Sequence, residues 1–554
     1  MKTRTALALI AAVLLVGAAA AAPPPPRLAE GMQRDESLLQ YLDSYGDARS
    51  RGVDSPSPLY SDRTPFGPEG AISGGRDSTE MNVLILLVDF SDKEAQTEAA
   101  YFDSMGYAAD TLSLASHYYE SSRGQLDIVT VNWPSATGWN RAPECYSYYA
   151  GDNYGWGSYP QNSQGLVEDV CELADPLVDF ADYDNDGDGY VDGVNVIYAG
   201  TFDGSPQMIW PHMWVLPDGG VDFDGVTVYS FSVQNEYDES PGDKSASVIC
   251  HEFGHVMGLP DFYDYDYDSH GIGDWGLMAY GVYNGGGWSP AHPCAWSRIE
   301  LGFTEPINVT AAGTYEVPAI ETSGTVYRLW TEGGSSFEYF LLANRRPFGY
   351  DAALPGHGVL IWHVDDTQNS NDNQWYPGYT DYGHYRLALE QADGLWQLEK
   401  YTSSGDQGDP YPGSSNNQYF QHWTTPDSDD YDFQPTQVYV GPVPETADTV
   451  EVFMDVGYTG VEDGPSAGGG LLSIAGSNPV AGAVSLELSL GSAARTVVSV
   501  HDLSGRLVAT PVNELLSSGS HSASWSPEGA PAGVYLVRAV SGNRTDTARL
   551  VLLP

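Results

Sequence analysis

Apolar residues along the first half of the chain alternate between two patterns. Residues 82–90 (NVLILLVDF) form a continuous apolar run that is too short for most helices, and residues 194–199 repeat it, so both predict buried strands. Between them, residues 110–122 have helical periodicity and precede a strand-like segment at 126–131. This alternation predicts an α/β or α+β domain, which we place at residues 81–305.

From about residue 306 the pattern changes to short alternating segments separated by turn residues. Residues 326–330, 339–342 and 359–363 predict strands, so we expect a β-rich accessory domain at 306–457. Residues 458–470 have the glycine-rich composition of a linker. Residues 471–554 alternate again and predict a small β-sandwich.

The N-terminus predicts export. Lys2 and Arg4 precede an apolar run at 6–17 and small residues at 18–22, which is typical of a signal peptide covering residues 1–22. A membrane anchor is the alternative, but the run is short and prolines follow it directly, and no later segment is long and apolar enough to span a bilayer. Residues 23–80 are polar and predict a propeptide, although a disordered arm fits their composition equally well.

Charge and cysteine content limit the partners. A net charge of −52 would repel nucleic acids and anionic membranes and would favour cations. Disulfides are permitted in an exported chain, and the four cysteines (Cys145, Cys171, Cys250 and Cys294) allow three pairings, among which the sequence does not choose. Cys250 precedes a candidate metal ligand, but neighbours on a helix point about 100° apart, so we expect a disulfide or a buried thiol there.

Residues 248–261 (VICHEFGHVMGLPD) contain a candidate zinc site. His251 and His255 would lie about one turn apart on a helix, so both imidazoles can meet one metal ion. Zinc in a hydrolase takes a third protein ligand and keeps one open position; Gly258 permits the chain to turn back so that Asp261 can reach the metal.

Two further features support hydrolytic chemistry at this site. Glu252 is the expected general base, because a carboxylate beside the metal can take a proton from an attacking water. Residues 275–281 (WGLMAYG) follow downstream, where a methionine-containing turn could support the metal site from beneath.

With these motifs the chain resembles the immune inhibitor A family of secreted bacterial metalloproteases, which belongs to the metzincins. The resemblance rests on NVLILLVDF, SHYYESSRGQLDI, CHEFGHVMGLPDFYD, WGLMAYG, PAHPCAWSRIELGF, YFLLANRRPFGYDAALPGHGVLIWHVDD and LALEQADG. It implies a metzincin-like catalytic domain with zinc at His251, His255 and Asp261, Glu252 as base and Met278 in the turn. Many metzincins have a third histidine where this chain has Asp261, and a carboxylate would reduce the net positive charge of the metal.

Tyr280 stands two residues after Met278, where some metzincins supply a tyrosine hydroxyl to the metal or the oxyanion. Tyrosine is abundant in this chain, so a purely structural role is the alternative. The function we expect is that of a secreted zinc metalloendopeptidase acting on extracellular proteins or peptides. The rival is a non-catalytic surface or adhesion protein with a metalloprotease-like fold, and substrate preference cannot be read from one sequence.

Residues 182–193 (DYDNDGDGYVDG) predict a structural calcium loop. Asp184, Asp186 and Asp188 alternate before Gly189, and the Tyr190 carbonyl and Asp192 could complete the oxygen ligands, although the final glutamate of an EF-hand is missing. An open acidic loop is the alternative. A second cation site around Asp365, Asp366, Asp393, Asp406 and Asp409 is conceivable, but acidic turns are usually only solvated.

The tail from Leu471 contains SNPVAGAVSLELSL, VVSVHDLSGRLV and APAGVYLVRAVSGNRTDTARLVLLP. It resembles the C-terminal sorting domains of the type IX secretion pathway and related Ig-like modules. The resemblance implies an Ig-like β-sandwich and the secretion machinery as a partner, whereas a plain β-sandwich spacer fits the alternation equally well.

Overall fold

A computed structural model describes residue 23 and residues 37–60, 79–457, 471–475, 482–490, 494–502, 506–527, 530–531, 533–541 and 544–552. They fall into two compact units, Met1–Gly457 and Tyr458–Pro554. The predicted signal peptide and the predicted linker lie outside the described residues. No helix in the described part of the chain is long and apolar enough to cross a membrane.

The α-helices of the first unit are short and lie mostly before residue 301. They are α1 Ser37–Ser50, α2 Ala99–Tyr107, α3 Leu114–Ser121, α4 Pro134–Thr137, α5 Tyr146–Ala150, α6 Ser163–Ala174, α7 Ser247–Val256, α8 Ala295–Glu300 and α9 Ile320–Ser323. Helix α3 begins later than the sequence pattern predicts, because the Ser113 side chain accepts a hydrogen bond from the Ser116 backbone N–H and caps the helix there.

The strands of the first unit that precede residue 300 are β1 Thr79–Asn82, β2 Leu84–Asp89, β3 Leu126–Val129, β4 Trp139–Arg141, β5 Val194–Tyr198, β6 His212–Val215, β7 Val221–Phe223, β8 Val226–Val228 and β9 Ser230–Asn235. Five of them form a sheet in the order β4-β2-β5-β9-β6, in which only the edge strand β6 is antiparallel. Strands β2 and β5 are buried along their whole length, as their continuous apolar runs predicted. The strand predicted at 126–131 is confirmed as β3.

The later strands of this unit are β10 Ile307–Asn308, β11 Gly313–Pro318, β12 Tyr327–Trp330, β13 Glu338–Arg345, β14 Gly358–Asp365, β15 Leu387–Leu389, β16 Phe420–Gln421, β17 Tyr439–Val440 and β18 Thr449–Asp455. They form two sheets in the orders β10-β12-β13-β14-β15 and β11-β18-β17-β16. The predicted β-rich character of this region is therefore confirmed.

Strand β13 is buried on both faces, which joins the β-rich region to the rest of the unit. Phe340 and Leu342 face a hydrophobic core shared with the second of these sheets. Leu341 and Ala343 face the opposite way, into the core that contains β2, β5 and α7. The two regions thus share one compact unit.

The second unit is entirely β in its described part, with strands β19 Leu472–Ala475, β20 Val484–Leu490, β21 Ala494–Asp502, β22 Leu507–Leu516, β23 Gly519–Trp525, β24 Gly533–Ser541 and β25 Arg544–Leu552. They form two antiparallel sheets, β19-β20-β23 and β22-β21-β24-β25. Along β20 buried and exposed residues alternate strictly, and Leu486 packs with Val500 and Val537 of the other sheet in one core. The chain therefore has a mixed α/β multidomain fold with a β-rich C-terminal region.

Candidate metal centre

Helix α7 and the turn that follows it bring three candidate ligands together. His251 and His255 lie one turn apart on this fully buried helix. Gly258 then adopts a left-handed conformation (φ +91°), and its N–H donates to the His255 carbonyl (2.9 Å), which turns the chain back. The Asp261 carboxylate ends 3.1 Å from His251 Nε2 and 3.2 Å from His255 Nε2.

Backbone carbonyls orient both imidazole rings. His251 Nδ1 donates a hydrogen bond to the Leu277 carbonyl (2.8 Å), and His255 Nδ1 donates to the Leu259 carbonyl (2.8 Å). A proton on Nδ1 leaves the lone pair of each neutral imidazole on Nε2, which points at Asp261. The hydrogen bonds therefore set the tautomer that a metal ligand requires.

No hydrogen-bond donor from the described part of the chain lies between these ligand atoms. Both Nε2 atoms and both Asp261 oxygens are buried without a hydrogen-bond partner, and one ligand atom from each residue lies within 4.8 Å of the others. Burial lowers the pKa of His255, but the Asp261 carboxylate more than offsets this and raises that pKa to about 9. The site therefore favours a positive charge, and two imidazoles with one carboxylate form a ligand set that suits zinc.

Glu252 is also completely buried, next to His251 on α7. Its charge contributes to the raised pKa of His255, so its carboxylate lies within electrostatic range of the ligands. Sequence reasoning placed this residue correctly on the ligand helix. The structure leaves its role as general base a prediction.

Met278 lies beneath α7 in contact with Gly254. A Cβ added at Gly254 would lie 2.6 Å from the Met278 sulfur, so only a glycine allows this close packing between the two histidines. The Met278 carbonyl accepts from the Phe262 N–H (2.8 Å), which ties the turn to the segment that carries Asp261. Gly254 and the Leu277 carbonyl were missed from sequence; a glycine inside a helix was the available signal.

Tyr280 is buried, and burial raises its pKa well above the ordinary value. Its ring lies 5.3 Å from that of His270 and 6.1 Å from that of Tyr263. No contact among the described residues joins its hydroxyl to the three candidate ligands. Its catalytic role stays a prediction.

The described part of the predicted propeptide lies beside the metal centre. The Ser57 N–H donates to the His255 carbonyl (2.9 Å), and the Asp54 N–H donates to the Met213 carbonyl (2.7 Å) on edge strand β6. Asp54 is fully buried; burial, together with the charges of Glu252 and Asp261, raises its pKa well above the ordinary value. The sequence predicted a propeptide here, with a disordered arm as the alternative, but it did not predict these contacts with the metal centre.

The acidic loop predicted to bind calcium is only partly assembled as a ligand cluster. Carboxylates of Asp184, Asp186 and Asp188 converge to within 4.8 Å, and Gly189 has a left-handed conformation (φ +90°). Asp192 instead accepts hydrogen bonds from the Tyr60 hydroxyl and from the Asn185 N–H. No contact that places the Tyr190 carbonyl in the cluster is seen in the described part of the loop.

The four cysteines, all within the described residues, are thiols. Cys250 is buried, and its sulfur lies 3.9 Å from the Ser113 carbonyl. Of the two possibilities left open for this residue, the structure has the buried thiol. Burial raises its pKa well above the ordinary value, so it is a poor thiolate ligand.

Comparison with known proteins adds two domain matches. Residues 96–304 match the family described as immune inhibitor A peptidase M6, catalytic domain. Residues 478–553 match the secretion system C-terminal sorting domain. All three candidate zinc ligands, Glu252 and Met278 fall inside the first match.

Two curated relatives each align with 41% of the chain. The pre-pro-metalloprotease PrtV of Vibrio cholerae is 27% identical over 282 residues, covering 41% of this chain and 30% of PrtV. Immune inhibitor A of Bacillus thuringiensis subsp. alesti is 25% identical over 280 residues, covering 41% of this chain and 39% of that protein. The matched segments thus span well under half the length of each relative. The chain carries a peptidase M6 catalytic domain of the immune inhibitor A type and a secretion-system C-terminal sorting domain, and it is a secreted or cell-surface protein.

Proposed function

We propose that the protein is a secreted zinc metalloendopeptidase that hydrolyses peptide bonds of extracellular proteins. The observation that carries this proposal is the convergence of His251, His255 and Asp261 around a space without any protein donor. One relative is named a pre-pro-metalloprotease, and residues 96–304 match a peptidase family, and both findings are consistent with the proposal. The activity of the whole protein is part of this proposal, because the alignments cover only 30% of PrtV and 39% of immune inhibitor A.

Each group at the centre has a place in this mechanism. A zinc ion held by His251, His255 and Asp261 would activate a water and polarise the scissile carbonyl. Glu252 takes the proton of the attacking water and returns it to the leaving amine. The hydrogen bonds from His251 and His255 to backbone carbonyls hold both rings in place. Burial of the four side chains keeps bulk water away and strengthens their electrostatic effect.

The decisive test compares Glu252→Ala with Glu172→Ala, an exposed glutamate of α6. We expect both proteins to bind zinc, and only Glu252→Ala to lose casein hydrolysis, by a factor of roughly 100 to 10,000. Chelator should abolish the activity of the wild type. A Glu252→Ala protein that still cleaves casein would contradict the assigned base. A wild-type protein that binds zinc but cleaves no protein would favour the non-catalytic surface protein.

We also infer that residues 23–80 restrain the enzyme until they are removed. The support is that Asp54 and Ser57 bond directly to β6 and to the His255 carbonyl, beside the ligands. Tyr41 extends this contact, with its hydroxyl 3.0 Å from that of Tyr267. N-terminal sequencing of active secreted protein should give a start near residue 80. A fully active protein starting directly after Ala22 would contradict the proposal.

The loop carrying Asp184, Asp186 and Asp188 is proposed to bind a structural calcium ion. Three carboxylates within 4.8 Å repel one another, and a hard divalent cation with oxygen ligands offsets that repulsion. Calcium should raise the thermal midpoint of the wild type and have little effect on Asp186→Ala, with zinc bound in both. Equal melting of both proteins with and without calcium would mean a solvated acidic loop.

We also propose a finer structural assignment for the catalytic domain and one for the second unit. Contact of Met278 with Gly254 beneath the ligand helix favours a metzincin-like arrangement of the catalytic domain. The two antiparallel sheets of the second unit favour an Ig-like sandwich, and its sorting-domain match favours recognition by secretion machinery. Export of a protein that lacks residues 471–554 would contradict recognition of this unit by secretion machinery.

A further inference from the structure

We propose a second calcium site, formed by Asp393, Asp406 and Asp409 in the β-rich region. One carboxylate oxygen of each residue lies within 4.8 Å of the other two. These residues are more than 100 positions from every zinc ligand and from the predicted calcium loop. The site therefore shares no ligand with either of them.

Asp409 supplies the observation that distinguishes this cluster from a solvated acidic turn. It is only 1% exposed, and its Oδ2 accepts from the Trp275 indole N–H (2.9 Å) and from the Asp406 N–H (2.9 Å). Its Oδ1 is buried and has no hydrogen-bond partner among the residues that the structure describes. A buried anionic oxygen without a donor is costly, and a cation placed among the three carboxylates would satisfy it.

The backbone is shaped so that the carboxylates can meet. A Cβ added at Gly408 would lie 2.3 Å from Asp393 Oδ2 and 2.9 Å from Asp406 Oδ1. Any larger residue would push these side chains apart. Burial, with a further contribution from the two neighbouring carboxylates, raises the pKa of Asp409 to about 7, as expected where a positive charge is lacking.

The chemistry of the ligands favours calcium. All three side chains offer oxygen, without nitrogen or sulfur, which suits a hard cation rather than zinc. Asp393 and Asp406 are partly exposed, so water can complete the six to eight ligands that calcium takes. Two other acidic residues considered from sequence do not join the cluster: Asp365 accepts from His384 (2.7 Å), and Asp366 accepts from the Tyr339 hydroxyl (3.0 Å).

The ion would hold one loop against the segment that supports the metal centre. Asp274 N–H donates to the Ser404 carbonyl (2.7 Å), and the Ser404 hydroxyl donates to the Asp274 carboxylate (2.8 Å). Trp275, bonded to Asp409, lies two residues before Leu277, whose carbonyl orients His251. Calcium at this site therefore stabilises the loop that positions a zinc ligand.

Calcium stoichiometry in full-length protein tests the proposal. Equilibrium dialysis is done on zinc-loaded protein carrying Glu252→Ala, which removes any self-cleavage. We expect Asp406→Asn to bind one calcium ion fewer than its parent, and Asp432→Asn, a change at an exposed aspartate, to bind the same number. Asp186→Asn reports on the other loop independently, so failure of one site is distinguishable from failure of the other. Unchanged stoichiometry in Asp406→Asn overturns the proposal.

Terbium luminescence provides a second measurement that does not depend on counting ions. Because the Trp275 indole lies 2.9 Å from Asp409 Oδ2, terbium bound here should emit when tryptophan is excited. Calcium should quench this emission by competition. Asp393→Asn should reduce it at least tenfold, whereas Asp186→Asn should not change it. Emission that survives in Asp393→Asn, or that magnesium but not calcium quenches, would overturn the assignment.

Discussion

Two of the buried clusters of histidine and carboxylate in the first unit have opposite patterns of hydrogen bonding. In the metal centre, His251 and His255 each have one ring nitrogen bonded to a carbonyl, while the other faces Asp261 without a donor between them. In the second cluster, His292 uses both ring nitrogens: Nδ1 contacts Asp351 (3.1 Å) and Nε2 contacts Glu120 (2.9 Å).

Charge balance separates the clusters as well. Arg345 makes a bidentate ion pair with Asp351, so that carboxylate is already neutralised by protein groups. Among the described residues, Asp261 has no arginine or lysine partner of this kind. The same residue types therefore build a structural junction in one place and the proposed metal site in the other, and the atoms left without partners among the described residues support that proposal.

Replacing Asp261 should have the largest effect on activity and a small effect on folding. In Asp261→Asn the amide can donate to one imidazole, so the metal-free fold is kept, but the anionic ligand is lost. Zinc affinity should fall by more than the roughly 10- to 100-fold typical of outer-shell changes. Zinc content and casein hydrolysis are the measurements, with Asp175→Asn, an exposed change on the surface, as control. Full zinc retention would mean that another ligand completes the site.

Replacing Asp351 should have a large effect on folding stability and a small effect on zinc binding. Asp351→Asn removes the bidentate partner of the buried Arg345 and leaves Glu321 (3.3 Å) as the remaining carboxylate, and breaking a buried ion pair costs about 3–5 kcal/mol. The neighbouring pair, Arg346 with Asp448, is a matched control, because the Asp448 side chain is 73% exposed and such pairs are worth less than about 1 kcal/mol. Urea unfolding of Asp351→Asn and Asp448→Asn measures both; equal stability would remove the distinction between the clusters.

Gly254→Ala should weaken the metal centre from beneath by a moderate amount. The added methyl would lie 2.6 Å from the Met278 sulfur, and overpacking of this kind costs about 1–3 kcal/mol. Gly46→Ala in α1 is the control, since a Cβ there meets no atom within 4 Å and alanine favours a helix. Thermal melts and zinc titrations should separate the two variants. A shorter side chain at position 278, combined with Gly254→Ala, should relieve the clash. If Gly254→Ala alone changes neither the thermal midpoint nor zinc affinity, the turn is not tightly packed against the helix.

These clusters also explain how much the sequence could predict. His251, His255 and Asp261 lie within one short segment, so helical spacing was enough to place them together. Continuous apolar runs were likewise enough for β2 and β5. By contrast, Glu120 meets His292 across 172 positions, and Trp275 meets Asp409 across 134, and no local pattern encodes such contacts. Tertiary packing, rather than spacing, produced these contacts.

The smallest effect concerns the pH dependence of the His292 cluster. Burial lowers the pKa of His292, but Asp351 and then Glu120 raise it more, so the folded pKa lies above the ordinary value. A histidine whose pKa is raised on folding contributes stability that is fully present below about pH 6.5 and is lost as pH rises through the folded value. Glu120→Gln should reduce this contribution by less than about 1 kcal/mol, because the Glu120 side chain is 39% exposed.

Unfolding free energies of wild type and Glu120→Gln should therefore differ most in acidic buffer and converge as the pH rises above the folded pKa of His292. The proteins should be saturated with zinc. A metal-bound imidazole does not take up protons, so His251 and His255 then do not contribute to the pH dependence of the unfolding free energy. Subtracting the unfolding free energy of Glu120→Gln from that of the wild type removes the contribution of groups that titrate alike in both proteins. A difference that is constant from about pH 6 to about pH 9 would mean that His292 stays neutral in the fold. His292 would then be held by its neighbours as an uncharged donor, and Arg345 and Arg298 would supply the positive charge that faces Asp351.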